Sequence, residues 1–236
     1  MNADATTGFI FPYKAKLLDI ARIKKDVIRL RIQKPWGFDH AIGQAIALSI
    51  DKPGYELEVA PFTLINFSEY DFLEVIVKVR QNREGLTYGL SKLDPGDCLQ
   101  VSEPWDAFTY KGAGTFIAAG TGIIPFMAIF RKIAKCADDL IPVRHNRLFY
   151  AIRNPEDILF ENELEGLLGD HAIHVLSGQD NPTLPGHIDS CFLKQRLHTL
   201  EQWFYVCGPR DFESDVKRTL LQLGADATRV QTGYNV

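Results

Sequence analysis

Residues 119–126 read Ala119-Gly120-Thr121-Gly122-Ile123-Ile124-Pro125-Phe126. The run before them, Thr115 to Ala119, is short and apolar like a buried strand, and the run after them, Pro125 to Lys135, sets Phe126, Ile129, Phe130 and Ile133 at helical spacing. A glycine-rich turn therefore joins a strand to a helix. Glycines there let backbone N–H groups approach a pyrophosphate, the helix N-terminus favours negative charge, and Pro125 suits a first helical turn. Glycine is also used at such turns for geometry alone, so the turn by itself defines a strand–helix unit before it defines a ligand.

Reading outward toward the C-terminus, the alternation continues. Further strands are predicted at Arg147 to Ile152, Ala172 to Ser177 and Trp203 to Cys207, with helices near Leu159 to Leu168, Ile188 to Leu197 and Asp211 to Leu223. Strands separated by helices need crossover connections and so form a parallel sheet covered on both faces. Toward the N-terminus the rhythm differs. From Tyr13 to Val101 the chain carries short alternating or β-branched runs, among them Val27 to Ile32, Ala45 to Ile50 and Phe72 to Val79, broken by Gly, Pro, Asn and Asp. That pattern is antiparallel. One helical interruption is expected between Thr87 and Leu93, where Leu86, Leu90 and Leu93 recur before the Asp94-Pro95-Gly96-Asp97 turn. The boundary is expected between Glu103 and Gly114, dividing the chain into an antiparallel Greek-key β-barrel domain, 1–108, and a Rossmann-like α/β domain, 109–236.

Composition narrows the function classes. Of 236 residues, 46% are hydrophobic and 24% charged, which suits a globular chain with a real core. A net charge of -4 without long runs of one sign gives no footprint for nucleic acid. The four cysteines, at 98, 136, 191 and 207, lie at least 16 residues apart, so no zinc knuckle or iron–sulfur loop is spelled out and no metal site is expected. No apolar stretch approaches a membrane span, and a reducing cytoplasm is the expected setting. His40, His145, His171, His174 and His198 have no partner at ligand spacing and read as surface or structural. Near the end, Val206-Cys207-Gly208-Pro209 closes a predicted strand, where open α/β sheets bind ligands. A buried structural cysteine is the competing reading there.

The order of motifs resembles the ferredoxin-NADP reductase family of flavin oxidoreductases over nearly the whole chain. Gly43-Gln44 resembles the family's Gly-Gln before a barrel strand, and Pro61-Phe62-Thr63 the last three positions of its Arg-x-Tyr-Ser/Thr flavin motif. Gly85-Leu86-Thr87, followed by Leu90, Leu93 and Pro95-Gly96-Asp97, resembles the segment that holds the flavin pyrophosphate. Gly120-Thr121-Gly122-Ile123-Ile124-Pro125-Phe126 resembles the nicotinamide motif. Tyr150-Ala151-Ile152-Arg153, then Asp157, Phe160 and Glu163, the Gly186-His187-Ile188 segment and Cys207-Gly208-Pro209 complete the series. Ala60 stands where the family's Arg contacts the pyrophosphate, and Phe62 replaces Tyr.

The resemblance implies an NAD(P)H-dependent flavoprotein with FAD as cofactor, passing electrons to a separate acceptor such as a ferredoxin, a flavodoxin or an oxygenase component. A flavin- or nucleotide-binding regulatory subunit of a larger complex is the alternative. By resemblance, Pro61, Phe62, Thr63, Leu64, Val77, Val79, Gly85, Leu86 and Thr87 hold the flavin, with Thr63 near its reactive nitrogen. Gly120, Thr121, Gly122, Pro125, Arg153, Ser177, Cys207, Gly208 and Pro209 hold the dinucleotide, with Cys207 near the nicotinamide. Tyr234 is a candidate aromatic cover for the flavin, against the plainer reading of a strand-end tyrosine. NADH is expected over NADPH, because Ser177 is followed by Gly178 and residues 179–188 contain no Arg or Lys and one charge, Asp180.

Overall fold

The computed structural model describes residues 10–80, 84–136, 141–177 and 187–233. The chain divides into two compact units, 1–107 and 108–236.

The first unit contains β1 (Tyr13–Lys24), β2 (Val27–Gln33), β3 (Ala45–Ile50), β4 (Ala60–Thr63), β5 (Phe72–Lys78), the short helix α1 (Gly85–Leu90) and β6 (Cys98–Val101). The strands form one six-stranded antiparallel sheet in the order β4-β3-β6-β1-β2-β5. Alternation along them turns Leu17, Leu30, Ile32, Leu48, Val75, Val77 and Val101 into a common core, which Leu86, Leu90 and Leu93 cover from the side of α1. The antiparallel architecture expected from the sequence is borne out, though no ladder joins β4 to β5 among the described residues. The two edges approach where Ile65 N–H donates to Glu74 O at 3.1 Å. The helix begins two residues earlier than its leucine spacing suggested, because Gly85 takes φ +76°, a conformation that starts the turn and that few other residues adopt.

The second unit runs β7 (Gly114–Ala119), α2 (Ile123–Cys136), α3 (Ile141–Arg144), β8 (Arg147–Ile152), α4 (Glu161–Leu168), β9 (Ala172–Leu176), α5 (Ser190–Arg196), β10 (Trp203–Cys207), α6 (Arg210–Leu223) and β11 (Val230–Thr232). Its five strands are parallel, in the order β11-β10-β7-β8-β9. The chain therefore winds from β7 through β8 to β9 in one direction and places β10 and β11 on the other side. The point of reversal lies between β7 and β10, and their carboxyl ends flank it. Phe116 on β7 stacks on Tyr205 of β10 with ring centroids 4.3 Å apart, and edge contacts from Phe126 and Phe130 of α2 complete the packing. Each such fully buried ring contributes roughly 1.5–3 kcal/mol of apolar burial. No helix among the described residues is long and apolar enough to cross a membrane.

Candidate functional site

At the carboxyl ends of β7 and β10 two small-residue turns meet. Cys207 pairs with Ala118, which carries the chain directly into Ala119 and the Gly120–Gly122 turn. A Cβ on Gly122 would stand 2.1 Å from Cys207 O, and one on Gly208 would stand 2.9 Å from the Ala119 Cβ. Glycine is thus required at 122 by backbone approach and favoured at 208 by the crowding of the Phe212 ring and the Ala119 Cβ, independently of any ligand. Gly120 differs. Its φ is +54° and no atom lies within 4 Å of the place its Cβ would occupy, so the turn presents an open face there. Thr121 beside it is half-buried, whereas Pro125 is buried inside the first turn of α2 and acts on the helix rather than at the surface.

The other turn is tied to α6. Pro209 caps the helix, with Glu213 N–H donating to Pro209 O at 3.0 Å, and Gly208 N–H donates to Glu213 Oε1 at 3.0 Å. The Cys207 thiol is hydrogen-bonded to Glu213 as well; enclosure of the sulfur raises its pKa, and the Glu213 charge and hydrogen bond add to the rise. Cys207 is therefore a neutral thiol, unsuited to nucleophilic attack. Glu213 was not singled out from the sequence. Its signal was there: positions 213, 216 and 220 share one buried stripe of α6, and the first of them is a carboxylate among apolar residues.

Arg153 follows β8 and is exposed, and Ser177 follows β9, with its N–H and Oγ both donating to Ile152 O. Glu163 and Phe160 serve the scaffold. Arg131 of α2 makes a two-bond contact to Glu163 at 2.6 and 2.7 Å and lies 5.4 Å from the centre of the Phe160 ring, whose residue holds φ +58° at the start of α4. His187 is exposed. Residues 178–186, including Gly178 and Asp180, and Tyr234 lie outside the described residues.

In the first unit, Pro61, Phe62 and Thr63 form β4 against Ala47, Ile46 and Ala45 of β3. Phe62 and Val79 are half-buried against the core that buries Leu64 and Val77, and Leu64 N–H donates to Gln44 O at 2.8 Å. The Gly85–Thr87 turn lies across from the segment that enters β4. Glu58 N–H donates to Tyr55 O, the Tyr55 ring rests where Gly89 lacks a side chain, and Glu58 Oε2 accepts from Leu86 N–H at 3.1 Å. Thr87 Oγ1 accepts from Arg80 N–H at 3.2 Å, which leaves its own O–H as a donor. These residues fit a flavin at the ring end, where an apolar shelf carries one hydroxyl. At the phosphate end they offer amide donors and Thr87, with Glu58 sharing that ground and Ala60 bringing no cation.

An open parallel sheet with two glycine turns at its switch point follows an antiparallel sheet in the same chain, the two-part architecture that family comparison assigns to flavin- and nicotinamide-binding domains. Residues 12–94 match the FAD-binding domain family and residues 116–218 the oxidoreductase NAD-binding domain family. An NADH-cytochrome b5 reductase-like protein of Arabidopsis thaliana is 28% identical over 215 residues, covering 82% of this chain and 64% of that protein. NADH-cytochrome b5 reductase 1 of Aspergillus oryzae is 30% identical over 208 residues, covering 80% and 70%. The fold matches that of a ferredoxin NADP+ reductase from Neisseria gonorrhoeae with a TM-score of 0.74 at 19% identity, covering 94% of this chain and 98% of that one. The chain belongs to the ferredoxin-NADP reductase family of NAD(P)H-dependent flavin oxidoreductases, and it spans just under two thirds of the Arabidopsis relative's length.

Proposed function

We propose that this chain takes hydride from NADH in its C-terminal unit, delivers it to FAD held by its N-terminal unit, and passes the electrons to a separate acceptor protein in the cytoplasm. A ferredoxin, a flavodoxin or an oxygenase component is the proposed acceptor class. The observation that carries this reading is the meeting of the Gly120–Gly122 turn with Cys207-Gly208-Pro209 at the switch point of the parallel sheet.

Bound FAD supplies two-electron chemistry with the nicotinamide and release of electrons one at a time. The chain's own residues bind and orient. Gly120, Thr121 and Gly122 offer backbone N–H groups to the dinucleotide pyrophosphate, helped by Pro125 at the start of α2, while Arg153 and Ser177 flank the adenosine half. Gly208 and Pro209 hold the turn, and Cys207 sets the nicotinamide geometry through its neutral thiol. Pro61, Phe62, Leu64, Val77 and Val79 shape the flavin shelf, and Thr63 donates to the flavin's reactive edge. Gly85, Leu86 and Thr87 supply donors for its phosphates. Tyr234 is proposed as an aromatic cover.

A second reading has a specific observation behind it. Glu58 at the Leu86 N–H, together with Ala60, supports a weakly flavinated subunit that regulates or serves a larger complex. Releasing and identifying the flavin from purified protein, then assaying turnover of an artificial acceptor with each nucleotide, separates the two. FAD with NADH-dependent turnover supports the enzyme; a flavin-free, inactive protein supports the subunit.

A further inference from the structure

Glu213 places a carboxylate where charge is costly. It is 3% exposed, on the stripe of α6 that also buries Val216 and Leu220, and it faces the carboxyl end of β10. The Gly208 N–H at 3.0 Å and the Cys207 thiol are turned toward it. A Cβ at Gly233 would stand 3.0 Å from Glu213 Oε1 and 3.4 Å from Cys207 Sγ, so a glycine leaves the room in which the pair sits. Burying a carboxylate in an otherwise apolar stripe is unfavourable unless donors meet it, and these donors belong to the turn assigned to the nicotinamide. The packing of α6 could be satisfied by an apolar side chain. What a carboxylate adds is an acceptor for Gly208 N–H and the Cys207 thiol, and, beyond what an amide would add, charge.

We propose that Glu213 is a positioning and charge-setting residue for the nicotinamide. It fixes Cys207 Sγ and Gly208 N and keeps one negative charge at the turn that would hold the ring. The inference rests on the proposed function, in which Cys207 adjoins that ring. In the hydride step the C4–H bond of NADH breaks and hydrogen leaves with both electrons for the flavin, which takes its balancing proton from solvent. The neutral dihydronicotinamide becomes a pyridinium cation. Glu213 gives and takes no proton. Its charge stabilises the cation more than the neutral ring, so it favours NAD+ over NADH in binding and lowers the barrier as positive charge develops. A group that served packing alone would treat both ring states equally.

The test uses the full flavin-loaded chain, Glu213→Gln, which keeps shape and an acceptor oxygen, and Glu213→Met, which suits the apolar stripe. Titration calorimetry is run with NAD+ and with tetrahydro-NADH, whose neutral ring cannot donate hydride, and flavin reduction by NADH is followed by stopped flow. In both variants the NAD+ to tetrahydro-NADH affinity ratio is expected to fall about tenfold, with a comparable slowing of reduction and a change of no more than about twofold for the neutral analogue in Glu213→Gln. An unchanged ratio in a folded variant overturns the role of Glu213 while leaving the proposed function standing. Failure of the wild-type chain to bind either nucleotide removes the proposed function, and this inference with it.

Discussion

Glu58 Oε2 accepts a hydrogen bond from Leu86 N–H at 3.1 Å, so a carboxylate occupies a backbone donor of the Gly85–Thr87 turn. Ala60 stands in the register of β4 opposite Leu48 and brings no cation of its own to that turn. A flavin phosphate bound at this turn, as proposed, would have to displace Glu58. Glu58→Gln is expected to tighten FAD by roughly 0.5–1 kcal/mol, since Glu58 is exposed and screened, and Ala60→Arg by ~1.5–3 kcal/mol if its guanidinium reaches the pyrophosphate. Riboflavin, lacking phosphate, should respond to neither. Fluorescence-quenching titrations with FAD and riboflavin check this; equal changes for both would mean that the turn does not meet phosphate.

Cys207→Ala is expected to slow flavin reduction far more than it weakens dinucleotide binding, because the residue is proposed to set ring position and a shift of about 1 Å can cost ~100-fold in rate. Enclosure and Glu213 raise the thiol's pKa, so the group stays protonated across the neutral range. The reduction rate should therefore show no ionisation step from Cys207 up to about pH 9, above the ordinary thiol value. Stopped-flow traces at the wild-type rate would contradict the positioning role.

Gly122→Ala tests the junction itself. The added Cβ would meet Cys207 O at 2.1 Å; Cys207 is held in the β7–β10 ladder, and Gly122 closes the turn that leaves β7. Destabilisation of about 3 kcal/mol or more is expected in thermal or denaturant unfolding. Gly120→Ala, with open space around it but φ +54°, should cost less, about 1–2 kcal/mol from backbone strain. Equal costs at the two positions would show that the close approach is not what demands Gly122.

NADH should exceed NADPH in kcat/KM with an artificial acceptor. Selection of a 2′-phosphate needs paired cations, and the stretch after Ser177 supplies Asp180 in place of Arg or Lys. A clear NADPH advantage would show that cations from another part of the chain form the phosphate clamp.

The parallel unit was legible because each strand and helix carries its own period: Trp203–Cys207 and Arg147–Ile152 form over the spans their apolar runs suggested. β11, three residues long, and β4, four, are too short to show a period, and their pairing partners lie far away in sequence. The glycine turn at 120–122 could be read because the flanking strand and helix frame it. Glu58 could not, since an exposed acid in a loop resembles any other until the fold brings it to Leu86. Glu213 lay between these cases, marked by period but unremarkable by composition.

The central claim is that nicotinamide reduces flavin within this one chain. Mixing the FAD-loaded protein anaerobically with NADH in a stopped-flow spectrophotometer tests it most directly. The account predicts rapid bleaching of the visible flavin absorbance with no added protein, saturating with NADH concentration. Flavin that stays oxidised under excess NADH and excess NADPH would contradict it.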